Sequence, residues 1–437
     1  MSERLTDANG TSRFRRIPAS GINLFQLIYI LIREYEANNP GMKAMNLSLG
    51  NPDLSPVATI RDLKAQFAQK TDYALHTYAE DSNLNRLAEG MVKEFVGLDV
   101  EKHSHLRCVP IPGIKTASAL MPLACGLHLK GRENFTVVSN LPAYDVIGTW
   151  STQYFGGKRV VWPLSPDDGM TLNVSRLKES LQKTGVDQPD LIFVIRPGNP
   201  ASRGASEQEW KEVIEFCIQK RIRLVNDAAY STLATPGSHV PLSQVAKNYP
   251  ELEWAELLSV SKAFSDPGAR LGAVVGSKEF IEDFVLIKGN TESGPVPHVM
   301  AAYGELLKDS NESQAILNEI YQIYRARLDF LVPTLMEAGL RPACETTAGF
   351  FTLWKTPDSI FDLDLNEEAK KRGIAKAEMY NRLVIERTGI VGVHFNGAAG
   401  AEEAFIRYAV CTDVLQPEFQ KRFKEALSSL KIRYFHP

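Results

Sequence analysis

Cysteine is scarce in this chain of 437 residues: there are five, and no two form a C-x-x-C pair. Cys108, Cys125, Cys217, Cys344 and Cys411 are scattered and odd in number. That excludes a disulfide framework and a structural zinc site, and leaves buried reduced thiols. Charge of one sign is also missing. The 49 Lys and Arg against 52 Asp and Glu leave a net −3, with no pull toward nucleic acid or an acidic membrane. Long hydrophobic runs are absent too. The longest, residues 22–32, is broken by Asn23 and Gln26 and is too short to span a bilayer. The first residues, MSERLTDANGTSRFRR, lack the apolar stretch of a secretory signal. The expectation is a soluble cytoplasmic protein whose partner is a small molecule. The chain holds no GxxxxGK[ST], HExxH, GxSxG or GxGxxG and no internal repeat. No cysteine or acid cluster completes the His103–His105 pair, so no metal is expected.

What remains is an ordinary globular composition, 44% hydrophobic and 23% charged, with ample chain for a core. The first ~15 residues are polar and expected to fray. A helical pattern over 22–38 ends at Asn39-Pro40-Gly41, and a short strand over 44–49 ends in the turn Gly50-Asn51-Pro52-Asp53. From about residue 60 strands and helices alternate. Strands are expected at 134–139, 158–162, 190–195, 223–226, 256–260 and 271–275, with helices at 116–130 and 207–220. The run DLIFVI is nearly all apolar, as in a parallel strand covered on both faces. This pattern means an α/β domain with a largely parallel sheet. After Pro297 a long helical stretch, 299–339, leads into strands at 350–355 and 405–410 and helices at 366–388 and 416–430, the content of a smaller α+β domain.

Ligands of open α/β sheets bind beyond the carboxyl ends of the strands. Arg196-Pro197-Gly198-Asn199-Pro200 follows strand 190–195, and Asp227-Ala228-Ala229-Tyr230 follows strand 223–226. Ser261-Lys262 follows strand 256–260, with Gly268-Ala269-Arg270-Leu271-Gly272 shortly behind. Alone, each has a bland reading: a strand-end Asp is commonly a cap or turn former, Asn-Pro a turn, Ser-Lys a solvated pair. The ordered set is what is specific.

That set resembles the fold-type I pyridoxal-phosphate (PLP) enzymes, in particular the class I/II aminotransferases of the aspartate and LL-diaminopimelate kind, from Ile17 to about Val410. The family pattern is Asn-Pro, then Asp-x-x-Tyr, then Ser-x-Ser-Lys, then Gly-x-Arg-x-Gly. Here these are Asn199-Pro200, Asp227 to Tyr230, Ser259 to Lys262, and Gly268 to Gly272. The resemblance implies a large PLP-binding domain over 60–310 with a mostly parallel central sheet. It also implies an N-terminal segment, 1–59, joining a small domain built from 311–437. It implies that Lys262 bonds the cofactor covalently and carries the catalytic proton. Asp227 keeps the pyridine nitrogen protonated, and Asn199 and Tyr230 hold the phenolate oxygen. Gly113, Ile114 and Lys115 offer backbone amides to the phosphate at a helix start, joined by Ser259 and Arg270. Tyr144, in Pro142-Ala143-Tyr144, stacks on the ring. Arg407 clamps the substrate α-carboxylate, with Gly50 nearby. Tyr78 reaches the phosphate of a neighbouring subunit in a homodimer. The side chain of Lys115 either lies toward the substrate's distal end or is a solvated lysine beside the phosphate.

Three places depart from the family pattern. The turn Asn199-Pro200-Ala201-Ser202-Arg203-Gly204 is two residues longer before its glycine. Ala79-Glu80-Asp81-Ser82-Asn83 follows Tyr78 where a glycine is usual, and His394-Phe395-Asn396-Gly397 replaces a Pro-Gly turn. All lie near the pocket rim, so they bear on the substrate and not on the cofactor. The implied reaction moves an amino group from an L-amino acid to a 2-oxo acid in a ping-pong cycle. A PLP β-lyase of sulfur amino acids would share every residue named. A non-catalytic PLP-binding protein is the third reading, opposed by the joint presence of Lys262 and Asp227.

Overall fold

The computed structural model describes residues 4–6, 12–14, 24–131, 133–144, 146–398 and 400–435. Its centre is a seven-stranded sheet: β1 (Leu106–Ile111), β2 (Thr136–Leu141), β3 (Lys158–Pro163), β4 (Leu191–Ile195), β5 (Arg223–Asp227), β6 (Trp254–Ser259) and β7 (Gly272–Ser277). The spatial order is β1-β7-β6-β5-β4-β2-β3. Strands β2 to β6 run parallel, and β7 runs antiparallel to both β6 and β1.

Side chains alternate across this sheet, as the pleat requires. Ile192, Val194, Leu224, Leu258 and Val275 enter one core. Leu191, Phe193, Val225, Leu257 and Val274 enter the other. Both faces are covered, which is why strand 191–195 is apolar at every position. All five cysteines are free.

Helix α1 (Leu24–Asn38) falls in the expected 22–38 span, whose first residues lie outside the described ones. Of the first ~15 residues, expected to fray, 4–6 and 12–14 are described, and they pair antiparallel. Helix α2 (Ala58–Gln69) packs on α4 (Pro297–Leu306), and α3 (Ile114–Ala124) follows β1. The helix expected over 116–130 breaks at Gly126, which sits at φ +84°. The stretch expected over 299–339 divides into α4 and α5 (Ser310–Glu337), because Asp309 caps α5 by accepting from the N–H groups of Asn311 and Glu312. The stretch over 366–388 divides at Gly373, at φ +65°.

Beyond α5, β8 (Phe351–Lys355), β9 (Val393–Gly397) and β10 (Gly400–Ala409) form an antiparallel sheet with β10 in the middle. The strand expected at 44–49 is only Met45–Asn46. It pairs in parallel with Ile390–Val391, so the N-terminal segment is stitched to the C-terminal part of the chain.

Candidate active site

Topology brings the unusual turns to one place. Strands β4, β5 and β6 end on the same edge, at Ile195, Asp227 and Ser259. Because β7 is antiparallel, its first residue, Gly272, lies opposite both Ser259 and Ile111. The segments carrying Gly113, Ser259 and Arg270 therefore converge. A cavity of about 390 Å³ opens there.

Lys262 stands in the one-turn helix Val260–Ala263, and its Nζ donates to the carbonyl of Gly50 at 2.9 Å. Burial brings its pKa down to about 8. Asp227, at the end of β5, is half-buried and accepts only the N–H of Ala229, at 3.0 Å, among the described residues. Burial pushes its carboxyl up to about 6. A carboxylate held at the cavity wall with no bonded cation among the described residues is the partner a protonated ring nitrogen needs. Tyr230 packs edge-on against Phe350 and Phe351, with centroids 5.4 and 5.5 Å away, and burial raises its phenol pKa.

At the α3 end of the cavity, Gly113 caps the helix at φ +94°. A Cβ there would stand 2.7 Å from Nη2 of Arg270, so conformation and space both require glycine. The cradle combines the free N–H groups of Ile114 and Lys115 at the α3 N-terminus with Ser259, Ser261 and the Arg270 guanidinium. That is the donor set a phosphate dianion needs. Arg270 is exposed, in the left-handed region at φ +48°. Its Nη1 donates to the Pro267 carbonyl at 3.1 Å.

At the other end Arg407 lies in the central strand β10, 2% exposed. Nη1 donates to Oδ1 of Asn199 at 2.8 Å and Nη2 to the Ser48 carbonyl, while Nε has no partner among the described residues. Its guanidinium sits 4.2 Å from the Phe351 ring centroid. Burial lowers its pKa to about 10. Gly50 leaves room for that ring, since a Cβ would fall 2.7 Å from Phe351. Asn199 spends its amide oxygen on Arg407, leaving its nitrogen as the group to offer a ligand. The backbone N–H of Tyr144 donates to the Asn199 carbonyl at 2.8 Å, and the Tyr144 ring lines the cavity beside Ile114 and Lys115.

Ten of the residues expected from the sequence therefore face one cavity, with Gly50 on its wall and Gly113 packed behind Arg270. Tyr78 does not reach it; its side chain is 79% exposed. The longer Asn199-Pro200 turn folds back on itself. Ser202, at φ +47°, accepts from the N–H groups of Thr347 and Ala348, so the extra residues dock beside Gly349. Sequence reasoning missed Ser48, Phe351 and Phe25. Phe25 lines the cavity from α1, and its place in an amphipathic helix gave no signal distinct from core packing.

Residues 43–415 match the aminotransferase class I and II family, and the chain belongs to that family; it is an aminotransferase. It is 26% identical over 410 residues to an LL-diaminopimelate aminotransferase of Syntrophobacter fumaroxidans, covering 93% of this chain and 95% of that one. An enzyme of the same name from Methanocaldococcus jannaschii is 26% identical over 89% of this chain and 85% of its own. Among solved structures, an aspartate aminotransferase variant of Thermus thermophilus superposes with a TM-score of 0.73 at 18% identity, covering 93% and 97% of the two chains. The aromatic aminotransferase of Pyrococcus horikoshii gives 0.70 at 18% identity over 92% and 97%. The fold is thus the fold-type I aminotransferase fold, α/β with a mostly parallel central sheet. PLP is the cofactor of this family and fold.

Proposed function

We propose that this chain binds PLP in the cavity described and uses it to move the amino group of an L-amino acid to a 2-oxo acid by a ping-pong mechanism. The observation that carries the reading is the meeting, in one cavity, of a half-buried amine, a half-buried carboxylate without a bonded cation and a buried arginine whose Nε has no partner among the described residues. When bound, the cofactor supplies an electron sink for the charge left at the substrate's α-carbon. Asp227 holds a proton at the ring nitrogen. Lys262, with a pKa near 8, is partly neutral at physiological pH and takes and returns the proton at the α-carbon. The α3 N-terminus with Ser259 and Arg270 anchors the phosphate, and Tyr144 presents its ring to the cofactor's face. Asn199 and Tyr230 orient the ring at its phenolate oxygen. Arg407 holds the α-carboxylate with Gly50 beside it, and so sets which substrate bond faces Lys262.

The amino donor on this reading belongs to the aspartate and LL-diaminopimelate class, with Lys115 toward its distal polar end. The names of the relatives at about a quarter identity support that class. The working form is a homodimer in the cytoplasm in which Tyr78 serves the neighbouring site; the full exposure of Tyr73 and Tyr78, both near 79%, supports a partner surface there. Residues 60–310 form the cofactor domain, and 1–59 with 311–437 the small domain.

The test is Lys262→Ala. It should lose both turnover and borohydride-fixable PLP. A variant that still fixed PLP would transfer the role to another lysine. Release of pyruvate and thiol by the wild type without added 2-oxo acid would replace the transaminase reading by a β-lyase.

A further inference from the structure

The six residues from Ser265 to Arg270 join the lysine segment to β7, and the strand ends force them into a tight path. Two of them, Ser265 at φ +51° and Arg270 at φ +48°, lie in the left-handed region. Neither is glycine, so each Cβ crowds the backbone there. Such a conformation persists only where surrounding contacts over-determine it. Between the two residues, Asp266 caps the single turn Pro267–Ala269, and its carbonyl accepts the N–H of Ala269 at 3.2 Å. Arg270 then ties its Nη1 back to the Pro267 carbonyl. The guanidinium is thus only as well placed as this turn.

The turn is moored from one side chain. Oδ2 of Asp266 accepts from Nζ of Lys64 at 2.6 Å and from the phenol of Tyr303 at 2.8 Å. Lys64 belongs to α2 and Tyr303 to α4, which pack on each other. Asp266 is 7% exposed and Tyr303 1%, so the phenol bond is shielded from water, while the Lys64 bond is charge-assisted and partly shielded. The Tyr303 ring leans on Phe264, with centroids 5.5 Å apart, which fixes the phenol from the other side. Burial and the neighbouring carboxylate hold the Tyr303 phenol pKa well above its ordinary value, so it remains a donor. None of Lys64, Asp266 and Tyr303 lines the cavity.

We propose that the Lys64–Asp266–Tyr303 cluster is a positioning device that sets the Arg270 turn and thereby the protein's preference for a phosphorylated over an unphosphorylated cofactor. It rests on the reading that the cofactor phosphate lies at the α3 N-terminus. Asp266 touches no ligand atom; it acts through Arg270.

The preference is read by dialysing purified holoenzyme to equilibrium against graded PLP and, in parallel, against graded pyridoxal. Asp266→Ala should lower the ratio of the two affinities about tenfold. Tyr303→Phe, which keeps the ring and removes one bond, should lower it about threefold. In an Arg270→Ala background neither change should lower the ratio further. Equal weakening of both ligands, an unchanged ratio, or a full additional loss without Arg270 would each overturn the inference. Wild-type protein that holds neither ligand would instead sink the PLP reading beneath it.

Discussion

The two arginines of the cavity, each proposed to hold an anion, are built in opposite ways. Arg407 is fully buried in the middle of a sheet, braced by Asn199, Ser48 and the Phe351 ring. Arg270 is exposed on a turn, braced by one carbonyl. Burying a guanidinium is expensive unless it is paired, and the lowered pKa of Arg407 registers that cost. Its site is therefore primed: an arriving carboxylate removes a penalty as well as making bonds. Arg270 carries no such penalty. Its contribution depends on geometry and on the helix N-terminus beside it. On the proposed reading, a substrate that must leave in every cycle meets the primed end, and the cofactor, which stays, meets the positioned end.

Substitution separates the two ends. Arg407→Ala should reduce kcat/KM for every amino acid by a similar factor, about 30- to 1000-fold, or about 2–4 kcal/mol for a charge-assisted bidentate contact. A loss confined to one substrate would show that Arg407 reads a side chain. Arg270→Ala should weaken PLP retention by about 1.5–3 kcal/mol while excess PLP restores kcat. Added salt should deepen that defect, since the site is open to screening; a salt-independent defect would erase the contrast drawn here. Lys115→Met, at the cavity mouth, should cost about 1–3 kcal/mol for acidic substrates and spare neutral ones. Equal losses across glutamate, aspartate and an aromatic amino acid would return Lys115 to the phosphate.

The smallest effect concerns Asp227 without cofactor. Its pKa rises from 3.8 to about 6 in the fold, so between those values the folded protein holds a proton that the unfolded chain has released. Its contribution to stability falls as pH rises through that window, and the full cost stands above pH 6. Asp227→Asn should therefore stabilise the cofactor-free protein at pH 8 by on the order of 2 kcal/mol, read as a raised Tm. The gain should vanish below about pH 4. A gain that persisted at pH 3 would point to packing rather than charge.

Much of this was legible in the sequence because the strand-end residues sit in short turns whose place is dictated by the sheet. Asp227 closes β5, Asn199 and Lys262 follow β4 and β6 within four residues, and Arg270 stands two residues before β7, so finding the strands locates them. Strand β1 was not foreseen, since LRCVPI contains a proline and an arginine and shows neither clean alternation nor a continuous apolar run. The helix breaks at Gly126, Leu307 to Asp309 and Gly373 were also missed, because the apolar periodicity resumes on the far side of each. Partners distant in sequence left no local trace. Ser48 meets Arg407 359 residues away, and Lys64 meets Asp266 202 residues away; nothing in either segment names the other.

The pairing of Met45–Asn46 with Ile390–Val391 has a consequence for how the protein comes into being. Leu47 takes the Val391 carbonyl and gives its own to Ala409, and the same segment carries Ser48 to Arg407 and Gly50 to Lys262. On a ribosome adding 5–20 residues per second, the chain from Gly50 to Ala409 takes roughly 20–70 s to make. Until Ile390–Val391 and Arg407 emerge, the early segment has been synthesised without its strand partner. The wall of the pocket that Arg407 and Ser48 build cannot form on a nascent chain until translation is nearly done.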